Sequence, residues 1–358
     1  MALPVSDQHL QITNEIYHHR RQLAEYVTAH SINVPYWNIR YGEQGRMTCL
    51  NDNVKNIELF TLALRKAKPE IADAHALWLR DVYINLGMCT EFAVQSFAEM
   101  QRGATNLLSH EAASALNGLL ERVKATLIYT DPLCQELRAH EDAITEIVVN
   151  AMYAATPFWQ VRYGDAGRAA CATDTRYNIA YIIDAAGRQN AQGLVIHTQW
   201  MRKFLIERGM CTAYYAQALT LLADAIVANI SSQHHAQIRS INDALQAGLR
   251  HDHPFAQLIE SQQATITRTV TAQHYDRAVA LQQRMTRHEY ANDLLYKLSF
   301  LVDAVVTGQP QIMSSHLQWV RSVLPQLNLT PADLDAELHT LAAALPTGTP
   351  DQARALLQ

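Results

Sequence analysis

The chain has 358 residues, 49% of them hydrophobic, which is enough for two or three domains with real cores. A net charge of −5 without any basic run excludes nucleic acid as the expected partner. No stretch reaches about 18 uninterrupted apolar residues, so no membrane span is expected, and Met1 to Gln8 lack the charged-then-apolar form of a signal peptide. The expected location is the cytoplasm, where the five cysteines are thiols rather than a disulfide framework. With only 13 Gly and 11 Pro, and long runs rich in Ala, Leu, Gln, Glu and Arg, the chain reads as all-α.

The first expected helix covers residues 7–30. A loop with Pro35, Gly42 and Gly45 follows, and Asp52 is an expected N-cap for the next helix. Val54, Ile57, Phe60 and Leu64 share one face of that helix. Pro69 sits in the tolerated first turn of another helix, and Trp78, Val82 and Leu86 form its apolar stripe. Gly87 stops it and Thr90 is placed to cap the last helix. Short connections make neighbours antiparallel, which puts Cys49 and Cys89 at one end.

The pattern then recurs. PYWNIRYGEQGRMTC at 35–49 answers to PFWQVRYGDAGRAAC at 157–171, an offset of 122 from Trp37 to Trp159. The offset holds through Asp52 and Asp174, His75 and His197, Trp78 and Trp200, and the Gly-Met-Cys-Thr runs beginning at Gly87 and Gly209. A third, worn copy keeps Arg287, Asp293, Tyr296, His316, Trp319 and Arg321, with Tyr290 where a Cys would stand and the Arg-Tyr-Gly loop gone. The expected domains are residues 1–130, 131–252 and a degenerate 253–358, the last closing at Pro346 before a polar tail.

The stretch from Cys49 to Leu86 resembles the chromophore-bearing segment of phycobiliproteins, the globin-fold antenna proteins. The likeness lies in Cys49 and Asp52, then Thr61, Ala63 and Leu64, then Leu79, Arg80, Tyr83, Leu86 and Gly87. Copy two keeps Cys171, Asp174, Ala185, Arg202 and Gly209. Tandem, non-antenna globins associated with bilin synthesis would be the nearer relatives. The resemblance implies tandem globin-like domains and an open-chain tetrapyrrole such as biliverdin or phycocyanobilin. It implies a thioether at Cys49 or Cys171, and pyrrole N–H groups donating to Asp52 or Asp174. Asn51 and Thr173 stand where the family commonly has Arg, and a 122-residue period is short for a full subunit; these departures point away from covalent attachment and antenna function.

The residues carry chemistry of their own. A carboxylate pairs with pyrrole donors, and Arg40 and Arg46, with Arg162 and Arg168, could clamp propionates bidentately. Trp37 and Trp159 offer faces to a flat ligand. Each has a plainer reading: buried thiol, helix cap, structural Arg paired with Asp52, Asp81 or Glu43, core aromatic. Cys89 and Cys211 read as structural, and the recurring His-x-x-Trp as packing rather than metal or haem ligation.

Three functions compete. The leading one is a non-enzymatic, soluble bilin-binding protein for carriage, storage or sensing. Its partners would be the linear tetrapyrrole and bilin-synthesis enzymes or a second copy of the chain. The others are a ligand-free interaction protein on a globin scaffold, and a bilin isomerase or lyase using Asp52 or Asp174 as proton donor.

Overall fold

Good helix formers with few breakers give a structure that is α-helical throughout. This computed structural model describes residues 7–31, 37–156 and 158–358, the Leu327 side chain excepted. Pro35, Tyr36 and Pro157 lie outside the described residues. The helices of copy one are α1 (Asp7–Ser31), α2 (Trp37–Arg65), α3 (Glu70–Asn85), α4 (Thr90–Leu107) and α5 (His110–Leu127). Copy two supplies α6 (Pro132–Ala139), α7 (Glu141–Ala155), α8 (Phe158–Arg188), α9 (Gln192–Glu207), α10 (Thr212–Asn229) and α11 (His235–Leu249). Copy three supplies α12 (Pro254–Gln273), α13 (Val279–Gln282), α14 (Arg287–Thr307), α15 (Gln311–Val323), α16 (Pro331–Ala344) and α17 (Asp351–Ala355). Among the described residues there is no strand, and no helix is long and apolar enough to cross a membrane.

Several local expectations need correction. Trp78 and Leu86 of the expected apolar stripe are exposed, and α3 instead buries Ala72, Ala76, Leu79 and Ile84. The Arg-Tyr-Gly segment is helical rather than a loop: only Gly42, at φ 58°, leaves the helical region inside α2. Gly164, at φ 57°, does the same inside α8. A positive φ is tolerated because glycine has no Cβ, and the helix formers Glu43, Gln44, Arg46 and Met47 resume the helix at once. Asp52 and Cys49 therefore lie within α2, and Asp52 caps nothing. The tail after Pro346 is docked: α17 buries Ala353, and Arg354 donates to the carbonyls of Ala342, Leu345 and Pro346.

The chain divides into two compact units. One comprises the described residues of Met1–Glu146, Tyr163–Leu194 and Asn229–Gln237; the other takes Ile147–Arg162, Val195–Ala228 and Ile238–Gln358. The first has a core of Ile16, Leu23, Ile57, Phe60, Phe97 and Leu120, with Phe60 and Phe97 edge to face at 5.5 Å. The second buries Leu222, Ile226, Leu294, Phe300, Leu301 and Leu341.

The polar contacts repeat with the sequence. Ser109 donates its N–H (2.6 Å) and hydroxyl (2.8 Å) to Glu15, and Ser231 donates the same pair of groups at 2.6 and 2.7 Å to Glu136. A second cap links successive copies. Thr90, at the start of α4, does not bond within its own helix but donates N–H (2.6 Å) and Oγ1 (2.5 Å) to Asp184 of copy two. Thr212 does the same toward Asp303 of copy three, both at 2.7 Å. Beside these, Tyr177 donates to Gln95 at 3.1 Å and Tyr296 to Gln217 at 2.5 Å.

The ends of the repeat array depart from this pattern. In copy one, Lys55 and Leu62 occupy the places of Tyr177 and Asp184, and Leu62 is 41% exposed. In copy three, Pro331 occupies the place of Thr212, and its helix is capped locally by a Thr330–Asp333 box.

Candidate functional site

The kink at Gly42 divides the copy-one site residues. Trp37 and Arg40 precede it; Arg46, Cys49 and Asp52 follow it on one helical stretch. Cys49 and Asp52, three apart, are neighbours on that helix surface. Cys49 opens onto a cleft of about 130 Å³ whose walls include Trp37, Tyr83, Phe92 and Glu99. The Trp37 ring lies 5.0 Å from Tyr41 and 6.5 Å from Phe92. Two buried oxygens, Ser31 Oγ and Glu99 Oε2, line this cleft without a protein partner. Asn53, which the sequence reading passed over, is the polar hub here. It donates to Thr28 Oγ1 (3.3 Å) and Cys49 Sγ (3.4 Å) and accepts from Ser96 (3.3 Å).

Burial pushes the Cys49 thiol above its ordinary range; hydrogen bonds from Thr28 and Asn53 oppose the shift, and the Asp52 charge adds to it. The Tyr83 hydroxyl is also raised, chiefly by burial. Asp52 keeps its carboxylate half exposed, 3.7 Å from Lys55. Arg46 is 3.7 Å from Glu43 and half exposed, and Arg40 lies over the Tyr41 ring at 5.2 Å.

In copy two the corresponding residues belong to different units. Arg168, Cys171 and Asp174 fall in the first, Trp159 and Arg162 in the second. Burial raises the Cys171 thiol to about 11 against opposing contributions from Thr175 and Arg168. Trp159 is 6% exposed and packs edge to face against Tyr153 (5.7 Å) and Tyr214 (5.2 Å). Arg162 donates to the Gly209 carbonyl at 3.0 Å and lies over Trp319 at 4.5 Å, tying the start of α8 to the end of α9. Cys89 and Cys211 are fully buried, and burial raises both thiols, Cys211 to about 12.

The recurring histidines share a packing geometry. His75, His197 and His316 lie 5.5, 6.2 and 6.1 Å from Trp78, Trp200 and Trp319. His75 Nε2 meets Asn56 Oδ1 at 2.7 Å. In copy three Lys297 takes the place of Asn56; it is 2% exposed and paired with Asp293 and, at 2.8 Å, with Glu337. Coulombic pull from both carboxylates outweighs the Lys297 desolvation cost and holds the ammonium charged. His316, stacked on Phe300 at 3.8 Å, is held neutral by burial and then by the Lys297 and Arg162 charges. Among the described residues no group of His, Cys, Asp and Glu is arranged to hold a metal ion.

The sequence held a signal for the Asp184 and Asp303 caps, since both fall at one repeat position where copy one has Leu62. No family model, curated protein or solved structure matches the chain.

Proposed function

We propose that the protein is a binding protein for an open-chain tetrapyrrole, held without a covalent bond at the Cys49 cleft. One observation carries this reading: Cys49, of the Cys-x-x-Asp pair that resembles the bilin-bearing segment, lines a cleft walled by Trp37, Tyr83 and Phe92, and Asp52 follows it three residues on along the same helix. Aromatic walls suit a flat ring. The half-exposed Asp52 carboxylate can accept from pyrrole N–H groups, and Arg46 is exposed enough to meet a propionate. A cleft of about 130 Å³ is well below the roughly 300–1,000 Å³ of enclosing ligand sites. It would take one terminal ring and leave the others outside. The raised thiol pKa at Cys49 disfavours the thiolate that thioether formation requires, so the reading is one of carriage, not covalent attachment.

The aromatic packing around Trp159 favours a second reading for copy two, a scaffold whose own side chains occupy the site. Titration of the full chain with biliverdin and with phycocyanobilin, followed by absorption, tests both. Expected is a saturable shift of the visible band that Asp52→Asn weakens at least tenfold, Cys49→Ala leaves in place, and acid denaturation abolishes. No shift with either bilin would leave the scaffold reading.

A further inference from the structure

The start of α10, the end of α11, α12 and α14 line an open cleft of about 500 Å³ in the second unit, within the size range of small-molecule sites. The first unit has the same arrangement of α4, α5, α6 and α8, and there larger side chains stand at the corresponding positions. Glu91 is largely buried near Arg138, Tyr129 packs under Arg80 at 4.5 Å, and Cys134 Sγ contacts the Ile183 carbonyl at 3.5 Å. At an offset of 122, Glu91, Tyr129 and Cys134 become Ala213, His251 and Ala256. Three facing positions shrink together, and all three smaller residues line the cleft.

The charges lining this cleft are already matched. Asp303 accepts from Thr212 twice at 2.7 Å and meets His251 Nε2 at 2.7 Å. Arg250 pairs with Glu260 at 3.1 Å. A charged ligand would lose its hydration without gaining a counter-charge. The remaining polar capacity is neutral and of both kinds. Tyr296 donates to Gln217 Oε1, leaving that amide's NH₂ as a donor. The Gln246 NH₂ is spent on Ala216 O (2.9 Å) and Thr220 Oγ1 (3.1 Å), leaving its carbonyl as an acceptor. Ser299 Oγ accepts from Ala213 N at 3.0 Å and its hydroxyl is engaged by the Cys211 thiol, so it adds no free donor. Leu249, Ile259 and Leu298 supply apolar wall.

We propose that this cleft binds a small, uncharged amphipathic molecule carrying both hydrogen-bond donors and acceptors on an apolar body. The site is separate from the Cys49 cleft and does not rest on the tetrapyrrole reading. The full chain is titrated with Nile red, an uncharged environment-sensitive dye, and with the anionic dye anilinonaphthalene sulfonate. Expected is saturable one-site binding of Nile red, at least tenfold tighter than the sulfonate. Ala213→Leu and, separately, Ala216→Trp should weaken Nile red at least tenfold with circular dichroism unchanged, while Asp52→Asn leaves it unaltered. Should either filled variant misfold, hydrogen exchange on the native chain decides: Nile red should slow exchange at the start of α10 and along α14. Absence of saturable binding, equal affinity for the sulfonate, equal affinity of folded filled variants, or protection confined to other helices would each overturn the proposal.

Discussion

The two units meet one requirement alike and another differently. Each must satisfy the donors at the start of a helix, α4 in one and α10 in the other, and each uses an aspartate from the next copy of the repeat. Around that shared cap they diverge. Asp184 is surrounded by Tyr129, Glu91 and Cys134, whereas Asp303 takes a hydrogen bond from His251 beside a cleft of about 500 Å³. The same split recurs one helix away, where a neutral Asn56–His75 pair in the first unit answers to a buried Lys297–Asp293–Glu337 cluster in the second. Contacts that secure a helix end are kept; the side chains beside them are free to become packing, an ion cluster or a cavity.

The sharpest way to break the comparison is at Lys297. Lys297→Met strands the buried Glu337 carboxylate and unpairs the part-exposed Asp293, and should cost about 3–5 kcal/mol, read as a lowered urea midpoint. The matching Asn56→Ala removes one neutral hydrogen bond and should cost about 1–2 kcal/mol. If the two losses were equal, the ion cluster would not be the distinguishing feature of the second unit.

Next come the caps. Asp184→Ala leaves the Thr90 N–H and hydroxyl unmet and should cost about 2–4 kcal/mol, with hydrogen exchange accelerating first at the start of α4. Asp303→Ala should cost as much, with acceleration at the start of α10. An aspartate loss that left its own helix end protected would show the cap to be dispensable.

The pH response is smaller and has two opposing parts, one from histidines in both units and one from Asp184 in the first. His316 and His274 in the second unit, like His75 in the first, are held below the ordinary imidazole value of 6.5 by burial. Such groups bind a proton more readily when unfolded, so stability is lost as pH falls from about 6.5 toward each folded value. The loss should be steeper in the second unit, and His316→Phe should flatten it while keeping the ring on Phe300. Asp184 acts oppositely: burial raises its pKa, so stability falls as pH rises from the unfolded carboxylate value through the folded one. Asp184→Asn should remove that acid-range slope in urea midpoints. The least effect is on reactivity: Cys171, raised to about 11, should alkylate at pH 7.5 roughly a hundredfold more slowly than an ordinary thiol, since each pKa unit is tenfold in thiolate.

The helical class and the repeat were legible because both rest on local composition and on spacing. The kink was not: Gly42 and Gly45 look alike in sequence, yet only Gly42 leaves the helix, and Asp52 reads as a cap only if a loop precedes it. Thr90 stands at its helix start but does not cap it as expected: Cys89 holds the N-cap position, and the Thr90 hydroxyl donates to a partner 94 residues on, beyond any local signal. The Cys-x-x-Asp spacing was readable; the size of the cleft beside Cys49 was not, since it depends on Tyr83 and Phe92 arriving from other helices. The larger cleft arises from small residues, and alanines carry no motif.

Lys55 and Leu62 at one end of the array, and Pro331 at the other, give the chain a grammar. Only copy two holds both an aspartate for the threonine before it and a threonine for the aspartate after it. Copy one can open a sentence but not continue one, and copy three can only finish it. Lengthening such a protein would have to proceed by inserting further versions of copy two. Shuffling the three existing copies into any other order would leave at least one Thr-type helix start with nothing to read it.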